Sequence, residues 1–275
     1  MTTKLRGRLE SASVVLALIA AGVGPVSASP AGTDLAPRRM EIALRFEPVP
    51  QNPQFKGGSG RMVIDLSGSR CTEYKLHRST VAKLQFEGGT INLVSEATIT
   101  ENGEGTQLAF AITDRVNGEV KRQEAVVARK TPDGIVLTSR KLPGGSMQLP
   151  KGIVLPIHHE RMADAALADK RKSLAVKIYN PEDTLTSIDQ IVYTFGAEAT
   201  GSLRKGHPAE QIMGNAPRYQ VEMLRKDKAG KFRVREKLVR FANGVFTTSD
   251  ALFDNMRIRA SLTGLKLPPQ PLCRQ

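Results

Sequence analysis

The residues best suited to chemistry in this chain are two adjacent histidines followed by a glutamate, His158, His159 and Glu160. Imidazole and carboxylate groups bind zinc when their side chains converge on one point. Neighbouring helical positions point about 100° apart, so His158 and His159 cannot readily hold one ion together. His77 and His207 have no ligand partner close by in sequence. The pattern favours a structural or surface role over a metal site, and we predict neither a metal nor another cofactor.

Serines beside glycine are the next candidates for chemistry, and Ser59, Ser67 and Ser146 are of this kind. None belongs to a Gly-x-Ser-x-Gly nucleophile elbow, and the chain has no glycine-rich phosphate loop ending in Lys-Ser or Lys-Thr. The segment Gly57-Gly58-Ser59-Gly60 is better explained by a turn. Because a site assembled in space leaves no local motif, a hydrolase stays open as an alternative. We predict that the protein is not an enzyme and assign no catalytic residue.

A basic strand is the clearest pattern for binding. Lys231, Arg233, Arg235 and Lys237 alternate with other residues, which places all four on one face of a strand. We treat these residues as a candidate site for anionic surfaces. The alternative is the ordinary solvated outer face of a half-buried sheet, which is routinely charged.

The first 28 residues have the order of a secretory signal peptide. Lys4, Arg6 and Arg8 precede an apolar run over residues 12–23, and small residues follow at 26–28. The alternative, a membrane anchor, is disfavoured because a membrane helix needs roughly 20 apolar residues. We predict a cleaved signal peptide over residues 1–28, a single mature domain over residues 29–275 and export to the periplasm.

The two cysteines, Cys71 and Cys273, both lie in the predicted mature domain. An even cysteine count in an oxidising compartment favours a disulfide, although two independent buried thiols are the alternative. Two isolated cysteines do not have the paired spacing of a zinc site.

Net charge narrows the choice of partners. The chain carries a formal charge of +13, of which the signal peptide contributes three basic residues and one acidic residue. Export makes nucleic acid an improbable partner, so we expect anionic lipid, an envelope polymer or an acidic envelope protein instead. The alternative is a generally basic, soluble surface without a specific ligand.

Strand-like alternation recurs along the mature chain. Apolar residues alternate with polar ones over 40–46, 62–66, 91–95, 108–112, 187–195, 221–224, 232–239, 244–252 and 256–267. Turn pairs separate many of these segments, including Asn102-Gly103, Asn117-Gly118, Asp133-Gly134 and Asn243-Gly244. We therefore predict a mainly β protein with a many-stranded antiparallel sheet that curls or partly closes.

One main helix interrupts the strands. Residues 158–172 are rich in Ala, Leu, Met and charged residues, and Met162, Ala163, Ala166 and Leu167 form one helical face. Residues 143–152 before it are predicted to form a loop. No later segment is long and apolar enough to span a membrane, so we do not expect an integral membrane protein.

Several short motifs resemble the EipB family of periplasmic cell-envelope integrity proteins. They are Gly60-Arg61-Met62-Val63, Gly68-Ser69-Arg70-Cys71, Leu149-Pro150-Lys151-Gly152, His158-His159, Lys177-Ile178-Tyr179, Leu262-Thr263-Gly264-Leu265 and Pro271-Leu272-Cys273. The resemblance runs from about residue 35 to residue 273. The chain departs from the family in having Tyr74 where a Trp is common, and residues 180–183 in place of an Asp-Gly turn.

This resemblance implies a single β-spiral domain, a partly closed sheet crossed by a helix, with a disulfide between Cys71 and Cys273. It also implies a non-catalytic periplasmic protein that supports envelope integrity by binding an envelope component or a partner protein. The alternative is a carrier of lipid or lipoprotein acyl chains in the concave face of the sheet. A solvent-open apolar cavity of roughly several hundred Å³ would favour that carrier. We expect a monomer.

Overall fold

The structure, a computed structural model, describes residues 34–199, 203 and 205–271. The predicted signal peptide and Cys273 lie outside these residues. Fifteen strands are present in the described part: β1 (Arg38–Glu47), β2 (Phe55–Gly68), β3 (Glu73–Phe86), β4 (Gly89–Asn102), β5 (Gln107–Val116), β6 (Glu119–Thr131), β7 (Gly134–Thr138), β8 (Ser146–Leu149), β9 (Ile153–Val154), β10 (Ser173–Tyr179), β11 (Ile188–Ala199), β12 (Arg218–Asp227), β13 (Phe232–Phe241), β14 (Phe246–Phe253) and β15 (Arg257–Lys266). The main helix is α1 (Pro156–Ala168), and α2 (Glu210–Met213) is a single turn.

One sheet contains all fifteen strands, in the order β8-β7-β6-β5-β4-β3-β2-β1-β15-β14-β13-β12-β11-β10-β9. It consists of two meanders, β1–β8 and β10–β15, which are joined where β1 pairs antiparallel with β15, and β9 is added at the far edge of the second meander. The two edge strands, β8 and β9, are separated by only residues 150–152 in the chain. The sheet is thus a nearly closed, barrel-like structure, and the predicted mainly β fold with one main helix is confirmed.

The pairing of β9 with β10 departs from the predicted antiparallel pattern. These two strands run parallel, with Ile153 opposite Lys177 and Val154 opposite Ile178. Parallel neighbours need a long crossover connection, and α1 supplies it. The helix therefore lies between consecutive, parallel strands and is tied to the sheet at both of its ends.

The bounds of α1 also differ from the predicted 158–172. The helix begins at Pro156, whose fixed φ suits the first helical position. It ends at Ala168 because Lys170 adopts a left-handed φ of 54° and donates to the carbonyl oxygen of Leu167. The predicted loop over residues 143–152 instead contains a 3₁₀ turn at Pro143–Gly145 and then β8. No helix in the described ranges is long and apolar enough to cross a membrane.

Residues 57–60, three glycines and Ser59, do not form the predicted turn but lie inside β2. A Cβ atom at Gly58 would come 2.4 Å from the carbonyl oxygen of Lys83, and one at Gly60 would come 2.6 Å from that of Val81. Strand glycines mark such close backbone approaches and the bends of curved sheets. These residues let β2 and β3 curl tightly against each other.

The core follows the predicted alternation on the inner face of the sheet. Met40, Ile42, Leu44 and Phe46 of β1 are each at most 4% exposed. Burying one such side chain contributes about 1.5–3 kcal/mol. The inner faces of both meanders pack around α1, which positions the groups described next.

Candidate functional site

Helix α1 crosses the interior and is anchored to both meanders. At its N-terminus, the backbone N–H groups of Ile157 and His158 donate to the two carboxylate oxygens of Glu101 on β4, at 2.8 and 2.6 Å. Further along, Asp164 forms an ion pair with Arg240 on β13. The helix therefore bridges strands that are separated by five others in the sheet.

A cluster of buried charges surrounds the middle of the helix. Arg38, Asp164 and Arg240 are each at most 5% exposed. Arg38 donates through Nη1 to the carbonyl oxygens of Ala36 and Asn243, at 3.3 and 3.2 Å, whereas its buried Nε has no hydrogen-bond partner among the described residues. Burial lowers the pKa of Arg38, an effect that the nearby carboxylates Glu160 and Asp164 oppose.

Glu160 is the carboxylate of this cluster that faces a cavity. Protein surrounds its side chain, which is nevertheless only partly buried because it borders the cavity. Burial raises the pKa of Glu160 to about 7, while the cations Arg240 and Arg38 act in the opposite direction. Its charge can therefore change near neutral pH.

The cavity between α1 and the sheet has a volume of about 80 Å³. Its lining includes the charged residues Arg38, Arg78, Glu160, Glu182 and Arg240, and the rest of the lining is mostly apolar. This volume accommodates a few water molecules and is far below the roughly 300–1,000 Å³ of a typical ligand pocket. The space between α1 and the sheet is therefore not the apolar cavity of several hundred Å³ that would favour a lipid carrier.

The loop over residues 180–187 covers the cavity, and two arginines of the first meander hold it. Arg78 on β3 forms a buried ion pair with Glu182. Arg122 on β6 donates to the carbonyl oxygens of Glu182 and Pro181, at 2.5 and 3.0 Å. This loop contains the residues that replace the family's expected Asp-Gly turn, and it links three strands of the barrel, since Asp183 also pairs with Arg233 on β13.

A second cluster of buried polar residues lies on strands β11 to β14. Ser249 donates to the Glu236 carboxylate, and Arg225 lies 3.6 Å from Asp189. Burial raises the pKa of Glu236 to about 7. The interior charges in the described residues are thus largely arranged in pairs that join separate elements.

The adjacent histidines lie in different surroundings, as helical geometry predicts. The His159 ring is fully buried and stacks on Tyr193, with the ring centroids 6.3 Å apart. His158 packs against Gly105, and burial lowers its pKa to about 4. No group of three or more potential His, Cys, Asp or Glu ligands occurs among the residues that the structure describes.

The predicted basic strand lies on β13 and just before it, and its side chains alternate with buried ones. Acidic neighbours accompany most of its cations. Lys231 lies 3.4 Å from Asp254, Arg233 lies 3.5 Å from Asp183, and Arg235 lies 2.9 Å from Glu222. Lys237 is opposite Glu222 on one side and Asp250 on the other. The binding of anionic surfaces stays a prediction, and these acidic residues would oppose it.

Cys71 lies in the turn between β2 and β3, and Cys273 lies outside the described residues. The sheet register brings the chain near the required position, because Arg39 is opposite both Asp65 of β2 and Lys266 of β15. The C-terminal ends of β15 and β2 therefore lie at the same end of the barrel, about 10 Å apart across two strand spacings. The disulfide stays a prediction that this register permits.

Sequence reasoning missed the buried charge cluster because its members are far apart in the chain. Arg38 and Arg240 are both at inward-facing positions of their strands, where apolar residues are expected. An arginine that interrupts the inward period of a strand is the signal that could have indicated a buried ion pair.

A nearly closed β-barrel-like sheet with an internal helix defines the structural class of this protein. Residues 29–269 match the family model described as EipB-like, and the chain belongs to this family. A crystal structure of a β-barrel-like protein from Brucella abortus, a domain of unknown function termed DUF1849, has the same fold with a TM-score of 0.77. The two are 16% identical, over 86% of this chain and 99% of that chain. No functionally curated protein matches the sequence.

Proposed function

We propose that this chain is an exported periplasmic protein that supports cell-envelope integrity by binding an envelope component or a partner protein, without catalysis. The signal-peptide pattern over residues 1–28 supports export. Membership of the EipB-like family supports a role of the kind that the sequence resemblance implies.

The observation that carries the proposal is the filled interior. Helix α1 occupies the space inside the sheet, and the charges of Asp164 and Arg240 neutralise each other in an ion pair. The cavity between α1 and the sheet, of about 80 Å³, is too small for a polymer or an acyl chain. Binding would then use the outer surface, where an extended partner has access.

The carrier of lipid or lipoprotein acyl chains is the second candidate, and the largely apolar lining of the cavity is what favours it. An acyl chain would enter only if α1 or the loop over residues 180–187 moved aside. Movement of the loop would break the buried Arg78–Glu182 ion pair, and movement of α1 would break the buried Asp164–Arg240 pair, so either movement is costly. Mass spectrometry of lipid co-purified with the protein distinguishes the two candidates.

Deletion of the gene followed by complementation tests the proposal. We expect the deletion to sensitise cells to detergents and cell-wall antibiotics, and the full chain to restore resistance. A variant without residues 1–28 should stay in the cytoplasm and fail to restore it. The variant E160Q, which neutralises the cavity carboxylate at similar size, should complement fully. Failure of a stably folded E160Q protein would contradict a binding role that does not use the interior.

A further inference from the structure

Two charged groups that border the internal cavity lie outside the buried ion pairs described above. They are Arg38 of β1 and Glu160 of α1. Within the described residues, no salt bridge joins them to each other or to a third group. The cavity of about 80 Å³ is thus bordered by one cation and one carboxyl group that have no direct partner of opposite charge.

The hydrogen bonding of Arg38 is incomplete, although the residue is only 5% exposed. Its Nη1 atom donates to two backbone carbonyl oxygens, whereas its buried Nε atom has no hydrogen-bond partner among the described residues. The guanidinium lies against the cavity wall at Gly244, where a Cβ atom would come 2.9 Å from Nη2. A buried charge that lacks partners is destabilising. A negatively charged acceptor inside the cavity would therefore stabilise Arg38.

Glu160 controls the net charge around the cavity. Its carboxyl group accepts no hydrogen bond from a described residue, and burial raises its pKa to about 7. The other charged or titratable groups around it, besides Arg38, are Arg78, Asp164, Glu182, Tyr193, Glu236 and Arg240. An ionised Glu160 balances the charge of Arg38. Once Glu160 is protonated, Arg38 is left as a buried cation without compensation.

We propose that the cavity binds a small monovalent anion, such as chloride, at Arg38 while Glu160 takes up a proton. A space that accommodates a few water molecules also accommodates one ion of this size. The proton and the anion bind together, so the net charge of the interior does not change. A divalent anion would leave one negative charge buried and unpaired, and a carboxylate on a long chain would exceed the volume. The inference is independent of the proposed envelope function.

Chloride titrations followed by the melting temperature test the inference, with the bulky anion gluconate keeping the ionic strength constant. A ligand that binds only the folded state stabilises it, so chloride should raise the melting temperature at pH 5. Because a proton binds with the anion, the apparent dissociation constant should rise about tenfold for each pH unit above about 7. In E160Q, which resembles the protonated state at every pH, the affinity should be nearly the same at pH 5 and pH 8.

The variant R38M removes the cation and should abolish the chloride effect. R39M, which changes the neighbouring, partly exposed arginine, is the matched control and should retain it. Crystals soaked in bromide test the site directly, even if R38M does not fold. We expect an anomalous peak in contact with the Arg38 guanidinium at pH 5, its loss at pH 8, and its presence at both pH values in E160Q. A cavity without bromide at pH 5, a bromide site indifferent to pH in the unmodified chain, or an equal chloride effect in R38M would each overturn the inference.

Discussion

Arg240 on β13 and Asp164 on α1 form an ion pair across 76 positions of the sequence. Both residues are at most 4% exposed, so the pair is removed from water. On the other side of the helix, Arg161 donates to the carbonyl oxygen of Gly103, which follows β4. The internal helix is therefore held to both meanders. Its position depends on buried charges that are neutralised by other buried groups of the protein and not by water.

Removing one member of this pair should be strongly destabilising. In R240M, Asp164 remains buried next to Glu160 without its closest cation. We expect the free energy of unfolding to fall by about 3–5 kcal/mol, the usual cost of an orphaned buried charge. Urea unfolding followed by circular dichroism measures this change.

The exposed ion pair between Arg39 and Asp65 is the matched control, with a nitrogen–oxygen distance of 3.0 Å and side chains 42% and 38% exposed. R39M should cost no more than about 1 kcal/mol. The double variant D164L/R240M should recover most of the loss, because no unpaired charge remains. A loss in R240M as small as that in R39M would contradict the structural role of the pair.

Stability should decrease as the pH rises towards neutrality. The pKa of Glu160 is raised by burial from 4.5 to about 7, and Arg38, Asp164 and Arg240 are the charged groups near it. Between these values the folded state binds more protons than the unfolded state, so stability present below about pH 4.5 is lost as pH rises through about 7. Glu101 and Glu236, whose pKa values burial raises to about 8 and about 7, contribute with the same sign. His158, whose pKa burial lowers from 6.5 to about 4, contributes with the opposite sign between these values.

Thermal unfolding between pH 5 and pH 8 in buffers of equal ionic strength measures this effect. We expect the melting temperature of the unmodified chain to fall over this range, and E160Q to show a flatter dependence. The variant E96Q, which changes an exposed outer carboxyl, should follow the unmodified chain. Identical slopes for E160Q and the unmodified chain would exclude Glu160 as a source of the pH dependence.

The predicted disulfide between Cys71 and Cys273 gives a third expectation. It would close a loop that contains nearly all of the mature domain, and its loss should cost about 2–5 kcal/mol. Intact-mass measurement after alkylation, with and without reductant, detects the bond directly. C71S and C71S/C273S should be equally destabilised. Labelling of both thiols without reductant would show that the pairing is wrong.

The basic strand gives a fourth expectation, in spite of its acidic neighbours. We expect co-sedimentation with anionic vesicles but not with neutral ones, weakening as salt screens the charges. R233E/R235E should abolish it, whereas R115E/R129E, on the outer side of the distant strands β5 and β6, should not. Equal sedimentation with both lipids would remove this site from consideration.

Local patterns of residues were sufficient for much of the fold. The alternation of Met40, Ile42, Leu44 and Phe46 predicted an inward row that is buried in the structure. The Asn117-Gly118 pair predicted the hairpin between β5 and β6, and both residues adopt positive φ there. These features depend on a residue and its near neighbours, so the sequence determines them.

Local patterns failed where the conformation depends on distant strands. Residues 57–60 resemble a turn by composition, but the close approach of β2 to β3 keeps them in a strand. The parallel pairing of β9 with β10 follows from the α1 crossover and not from either strand's own residues.

What the sequence by itself determined is the face on which each strand residue lies, the turn positions, the main helix and the two far-separated cysteines of an EipB-like chain. Only the tertiary structure decided that Arg240 pairs with Asp164, and that Arg78 pairs with Glu182. The physical reason is that the period of a strand specifies inward or outward, whereas partners depend on register and on the closure of the sheet through β1 and β15.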